Sequence, residues 1–106
     1  MKKYLANAFS LNMLSGDATI VVKEVTLDDA KVFIQSAESS IGHQGTSEYI
    51  SLLTGITVST NRVALKLQQG DQVLVLQLLG RLPEGVTLSK DEVAQIPHKW
   101  FLVTVV

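Results

Sequence analysis

Hydrophobic and polar positions alternate with two different periods along this chain, and the switches between them outline its elements. "KKYLANAF" opens with a strand-like run that gives way to a short helical turn, "SLNMLSG", stopped at Gly16. "ATIVVKEV" is rich in β-branched residues and predicts a second strand. From Thr26 the period lengthens: Leu27, Ala30, Phe33, Ile34 and Ala37 fall on one helical stripe, and Asp29 stands three residues after the capping threonine. "ESSIGHQG" reads as a loop. A second helix is predicted from near Thr46, carrying Tyr49, Ile50, Leu52 and Leu53 inward and stopping at Gly55.

The period then returns to two. In "RVALKLQ", Val63, Leu65 and Leu67 alternate with Ala64 and Lys66, and Gly70–Asp71 turns the chain into "QVLVLQLLG", which predicts a hairpin. Ser89 and Glu92 have capping-box spacing, with Leu88 and Val93 placed as a hydrophobic staple. Pro97 ends that helix and "KWFLVTVV" supplies the last strand. The order β-(short α)-β-α-α-β-β-α-β describes an α+β domain: a mixed sheet of about five strands with flanking helices. With 106 residues and no linker or repeat, residues 1–106 form a single domain.

Composition narrows the classes. The chain is 46% hydrophobic and 18% charged, enough apolar material for a core and too little charge for a disordered segment. So thin a charged surface is also what a homo-oligomer with a covered face would show. Nine Lys and Arg against ten Asp and Glu give a net charge of −1, without a basic stripe. Binding to long nucleic acid draws on many phosphate contacts, so this balance argues against it, while a small anion held by a few converging groups stays open. No cysteine is present, which excludes disulfides and thiolate metal sites. The opening residues lack the apolar run of a signal peptide, and the longest apolar runs, "VLVL" and "FLVTVV", are too short to span a membrane. A cytoplasmic protein is the expectation.

His43 is the first candidate for chemistry. It stands between Gly42 and Gly45 at the head of a helix, where a polar loop residue is ordinary. The same place offers unpaired N–H groups and positive dipole to a phosphate, and a histidine beside a phosphodiester can transfer a proton. His98 lies far along the chain, before Trp100, and reads as a strand-edge residue; two histidines without matching carboxylates make a poor metal site, and no cofactor is expected. Asn7, Ser10 and Asn12 cluster where the first strand yields to a helical turn. Capping accounts for them, and so does hydrogen bonding to a base edge or phosphate. Gln77 interrupts an apolar strand; a buried amide there needs either a side-chain partner or a ligand, because leaving it unpaired costs about 1–3 kcal/mol. Arg81 and Glu84 flank Pro83 in a tight loop and make an ordinary surface ion pair, and Arg62 is an ordinary strand-end cation.

Taken in order, "YLANAFSLNML", "SIGHQGT", "NRVALKL" and "QLLGRLPEG" resemble the corresponding stretches of the viral ring nucleases, type III anti-CRISPR proteins that destroy cyclic tetra-adenylate, and of their cellular and mobile-element relatives. The likeness spans nearly the whole chain. It implies a symmetric homodimer with cyclic tetra-adenylate bound across the dimer axis, in the host cytoplasm if the source is viral. It implies His43 as general acid, Arg81 holding the scissile phosphate, and Glu84 orienting the histidine or exchanging a proton with it. Asn7, Ser10, Asn12, Arg62 and Gln77 become ligand-binding positions. Pro83 stands where relatives carry an acidic residue, which bears on the geometry of Glu84. Two other functions fit the sequence: a protein that binds a cyclic oligoadenylate without cutting it, and a small regulatory nucleic-acid-binding protein.

Overall fold

Each local signal closes its element through a nameable bond. In the computed structural model, which describes residues 1–80 and 89–106, the Thr26 hydroxyl accepts from the Asp29 N–H at 3.1 Å and starts α1 (Leu27–Ile34), with Asp28 and Asp29 in its first turn where the dipole favours anions. Helix α2 (Gln44–Thr54) ends at Gly55, whose φ of +74° is the left-handed conformation that stops helices. The capping box of α3 (Lys90–Gln95) is reciprocal: Glu92 N–H donates to the Ser89 hydroxyl at 3.2 Å, and Ser89 N–H donates to the Glu92 carboxylate at 3.1 Å. Leu88, the other half of the expected staple, lies outside the described residues.

Strands β1 (Lys3–Ala6), β2 (Ile20–Val25), β3 (Glu38–Ser39), β4 (Gln72–Leu78) and β5 (His98–Val105) form one mixed sheet in the order β2-β5-β4-β1-β3. β1 runs parallel to both β3 and β4, and β5 runs antiparallel to β2 and β4. One face, with Leu5, Leu74, Leu76 and Trp100, packs under Ala30 and Ile34 of α1, Tyr49, Ile50 and Leu53 of α2, and Val93 of α3. The opposite face, with Tyr4, Ala6, Val73, Val75, Val103 and Val105, carries no such helix among the described residues. There Leu65 and Leu67 cover it, with Phe9, Met13 and Leu14 alongside. This is a single α+β domain with a five-stranded mixed sheet and three helices among the described residues.

Four sequence expectations are corrected. The predicted hairpin between 63–67 and β4 does not form, because both edges of β4 are already occupied by β1 and β5. The 61–67 segment instead lays Leu65 and Leu67 across the sheet, with a single bridge between Leu67 and Leu14, and Val63 is left half exposed. The fifth strand is the two-residue β3, taken from the stretch read as a loop. The turn itself survives: Gly70 has φ +91°, and the buried Asp71 carboxylate accepts from the N–H groups of Lys2 and Gln68, both at 2.9 Å. Helix α2 begins two residues earlier than Thr46, since the His43 carbonyl already accepts from Ser47 N–H at 3.1 Å. Leu52 turns outward, off the stripe made by Tyr49, Ile50 and Leu53.

Candidate functional site

The parallel strands β3, β1 and β4 all end on the same side of the molecule, the position where open sheets carry their ligand crevices. Asn7 follows β1 directly and is half-buried. After β3, the Ser40 N–H and hydroxyl both donate to Leu5 carbonyl at 2.8 Å, which ties the "SIGH" stretch to the end of β1. His43 is the N-cap of α2, with extended backbone (φ −126°), an exposed side chain and no capping bond from its imidazole. The ring is therefore exposed at a helix head whose first N–H groups lack helical partners.

Arg62 reaches this turn by a specific route. Asn61 N–H donates to Ile41 carbonyl at 2.8 Å, and its side-chain amide donates to Ser39 carbonyl at 2.9 Å. The Ser39 hydroxyl donates to Ser59 carbonyl at 2.6 Å. The Thr60 hydroxyl bonds to Gln44 Oε1 at 2.7 Å and shares a hydroxyl–hydroxyl contact of 3.0 Å with Ser47. These bonds fasten 59–61 along the entrance to α2 and bring the carbons of Arg62 over Gly42. A Cβ on Gly42 would lie 3.3 Å from Arg62 Cγ. Glycine leaves room for this close approach, and a side chain at 42 would press on the arginine stem. The guanidinium is thus carried on a stem that rests one residue from His43.

The second cluster forms at the other end of the same segment. The Ser10 hydroxyl accepts from Asn12 N–H at 3.3 Å and caps the 3₁₀ turn Leu11–Met13, so the capping reading of Ser10 holds. Both Ser10 and Asn12 remain exposed. Beside them lies a hollow of about 230 Å³, bounded also by Val63, Leu65 and Lys66. Lys66 was not singled out by the sequence, where it reads as the solvated side of a strand. Its ammonium donates to Asn12 carbonyl at 2.7 Å.

Gln77 departs from expectation. It is exposed on the sheet face that the helices leave uncovered, and its amide donates to the adjacent Leu78 carbonyl at 3.1 Å. The strand's alternation puts it beyond the cover that Leu65 and Leu67 provide, so no buried amide has to be satisfied. Arg81 and Glu84 lie outside the described residues. His98 opens β5 as a structural residue: its Nδ1 lies 3.1 Å from the Tyr49 hydroxyl and 2.9 Å from Ile96 carbonyl, and its ring meets those of Tyr49 and Trp100 edge-on. Among the described residues no three His, Asp or Glu side chains converge as metal ligands, and no helix is long and apolar enough to cross a membrane.

Comparison with known proteins widens this picture. The chain is similar to B116 of Sulfolobus turreted icosahedral virus, with a TM-score of 0.91 and 29% identity over 98% of this chain and 99% of that one. It is 29% identical to uncharacterized protein 26 of Sulfolobus islandicus filamentous virus, over 97% of this chain and 91% of the relative. It is 30% identical to uncharacterized protein ORF116 of Acidianus filamentous virus 1, over 91% and 85%. A bacterial relative, YddF of Bacillus subtilis, is 26% identical over 77% and 80%. The family model described as STIV B116-like matches residues 3–100. A match from the first strand into the last, backed by archaeal-virus relatives along nearly their full lengths, means that this chain belongs to the STIV B116-like family.

Proposed function

We propose that this protein is a metal-independent ring nuclease that opens cyclic tetra-adenylate, and so silences the effectors that this messenger activates in type III CRISPR defence. The observation that carries the reading is local: an exposed imidazole at a helix head, unused for capping, with an arginine stem packed on the neighbouring glycine.

The chemistry asks little of the protein. RNA brings its own nucleophile, the ribose 2′-hydroxyl, which must be held in line with the phosphorus. O2′ forms a bond to phosphorus, the P–O5′ bond breaks, and the O2′ proton leaves to solvent. His43 delivers a proton to the departing O5′, a task a histidine performs without a metal. Arg62 and the first N–H groups of α2 stabilise negative charge on the phosphoryl oxygens. By the resemblance given above, Arg81 holds the scissile phosphate and Glu84 orients His43 or exchanges a proton with it. The products are linear adenylates ending in a 2′,3′-cyclic phosphate, two dinucleotides when both halves of the ring are cut.

A two-fold ligand matches a two-fold dimer in which each chain supplies one His43. Leu11 and Val63, 76% and 50% exposed, are chain neighbours of Ser10 and Asn12 and of Arg62, and such exposed apolar side chains suit contact with a second copy. Doubling the cations would let a chain of net charge −1 present a positive pocket. The test is incubation with cyclic tetra-adenylate in EDTA, with products separated by chromatography. Linear adenylates bearing cyclic phosphates support the reading; a ring left intact after prolonged incubation rules it out.

A further inference from the structure

The 61–67 segment joins the two candidate clusters, and Val63 within it is half exposed. Leu65 and Leu67 are buried against the sheet, while Arg62, Ala64 and Lys66 are exposed. Arg62 stands at the His43 end with its carbons on Gly42. Lys66 stands at the Ser10–Asn12 end with its ammonium on Asn12 carbonyl at 2.7 Å. Only the small Ala64 intervenes on that side. Four residues of chain span at most about 13–14 Å, which leaves room for the two cations to address two different phosphates.

We infer that Lys66 is a ligand-binding residue, the second cation of a two-phosphate clamp whose first is Arg62. The inference rests on the ring-nuclease reading and names a contact that the reading does not contain. An ammonium has three donors, and Asn12 carbonyl takes one, leaving two for phosphoryl oxygens. That carbonyl also holds the flexible stem where a ligand would meet it, which lowers the ordering cost on binding. The hollow of about 230 Å³ beside it has Met13, Val63 and Leu65 as apolar wall and Ser10 and Asn12 as polar rim. A nucleotide whose phosphate sits on Lys66 can rest its base there, against apolar carbon with hydroxyl and amide groups within reach.

The test uses the full chain carrying His43→Ala, so that the ring stays whole during titration. Calorimetry with cyclic tetra-adenylate at about 50 and 200 mM salt compares this parent with the same chain carrying Lys66→Gln or Lys66→Arg. Lys66→Gln should weaken binding about ten-fold at the lower salt. It should also flatten the dependence of log affinity on log salt by about 0.7 for each cation removed. Lys66→Arg should restore both. Because Lys66 is exposed, thermal denaturation of the glutamine variant should match the parent. A parent that binds, with a glutamine variant of equal affinity and equal salt slope, overturns the role of Lys66 alone. A parent that does not bind at all removes the ligand reading, and this inference with it.

Discussion

Replacing Gly42 by alanine separates the stability of the site from its function. The new Cβ would lie 3.3 Å from Arg62 Cγ and 3.7 Å from its Cβ and Cδ. Gly42 is not among the glycines with positive φ, so alanine can adopt its backbone. Arg62 is exposed, and its stem can give by a few tenths of an ångström without opening the core. Reduced freedom of the unfolded chain should stabilise the variant by about 0.4–1 kcal/mol, which is about 2–5 °C in Tm for a domain of this size. The steric shift at the stem offsets part of that gain. Function should move the other way. A small displacement at Cγ grows along the side chain, and a misplacement of about 1 Å can cost about a hundred-fold in rate. We therefore expect about a ten-fold loss in ring opening with unchanged or slightly raised thermal stability. Measured in an Arg62→Ala background, the same substitution should cost almost nothing further, since the two residues act through one contact. An equal loss in both backgrounds, or a variant destabilised by more than about 1 kcal/mol, would refute the placement of Arg62 over Gly42.

Other outcomes follow from the same physical account. Asp71 is buried; burial alone would raise its pKa, but the N–H groups of Gln68 and Lys2, the N-terminal charge and the Lys2 ammonium together hold it below the usual carboxylate range. A depressed folded-state pKa contributes stability above the unfolded value, near 3.9, that is lost as pH falls through the folded one. Asp71→Asn should therefore cost about 1.5–3 kcal/mol at neutral pH, and denaturant titrations should show the gap to wild type closing below about pH 4. Burial pushes the Tyr49 hydroxyl above its ordinary value, so wild-type stability should fall above about pH 10, and Tyr49→Phe should flatten that fall in pH-jump unfolding. Leu74→Ala, at a position 1% exposed between sheet and helices, should lose about 2.7–5 kcal/mol by denaturant unfolding, and Leu52→Ala, 37% exposed, under about 1 kcal/mol.

How much was legible in the sequence depended on how local each signal was. Thr26 with Asp29, Ser89 with Glu92, and Gly55 act within a turn, and all three end or start helices as their spacing predicts. The strands with long β-branched runs, β2, β4 and β5, were equally readable. β3 was not, because two residues cannot display a period, and Glu38 and Ser39 owe their pairing to the neighbouring β1. Alternation in 63–67 was read correctly for Leu65 and Leu67, which turn inward, but not for Val63, which is half exposed. It could not say whether the inward leucines meet a partner strand edge-on or lie flat on the sheet, which is decided by β1 and β5 claiming both edges of β4.

The site shows the same division. His43 was visible as a bare histidine before a helix, and the structure makes it the exposed N-cap of α2. Gln77 looked buried because its neighbours are apolar, yet it is exposed where the cover over the sheet runs out. Lys66 was invisible for the converse reason: nothing in "VALKLQ" tells that its ammonium meets the carbonyl of a residue as distant in sequence as Asn12. Arg62 against Gly42 is likewise a tertiary fact, created by the bonds of Ser59, Thr60 and Asn61 to residues 39–47.

The measurement that bears most directly on the central claim is single-turnover opening of cyclic tetra-adenylate by wild type and by His43→Ala, with ligand affinity measured on the same samples. Loss of a general acid should slow the step by about 10²–10⁴-fold and leave binding within a few-fold of wild type. Equal rates for the two proteins would contradict the account, because the imidazole at the head of α2 would then have no part in releasing the 5′-oxygen.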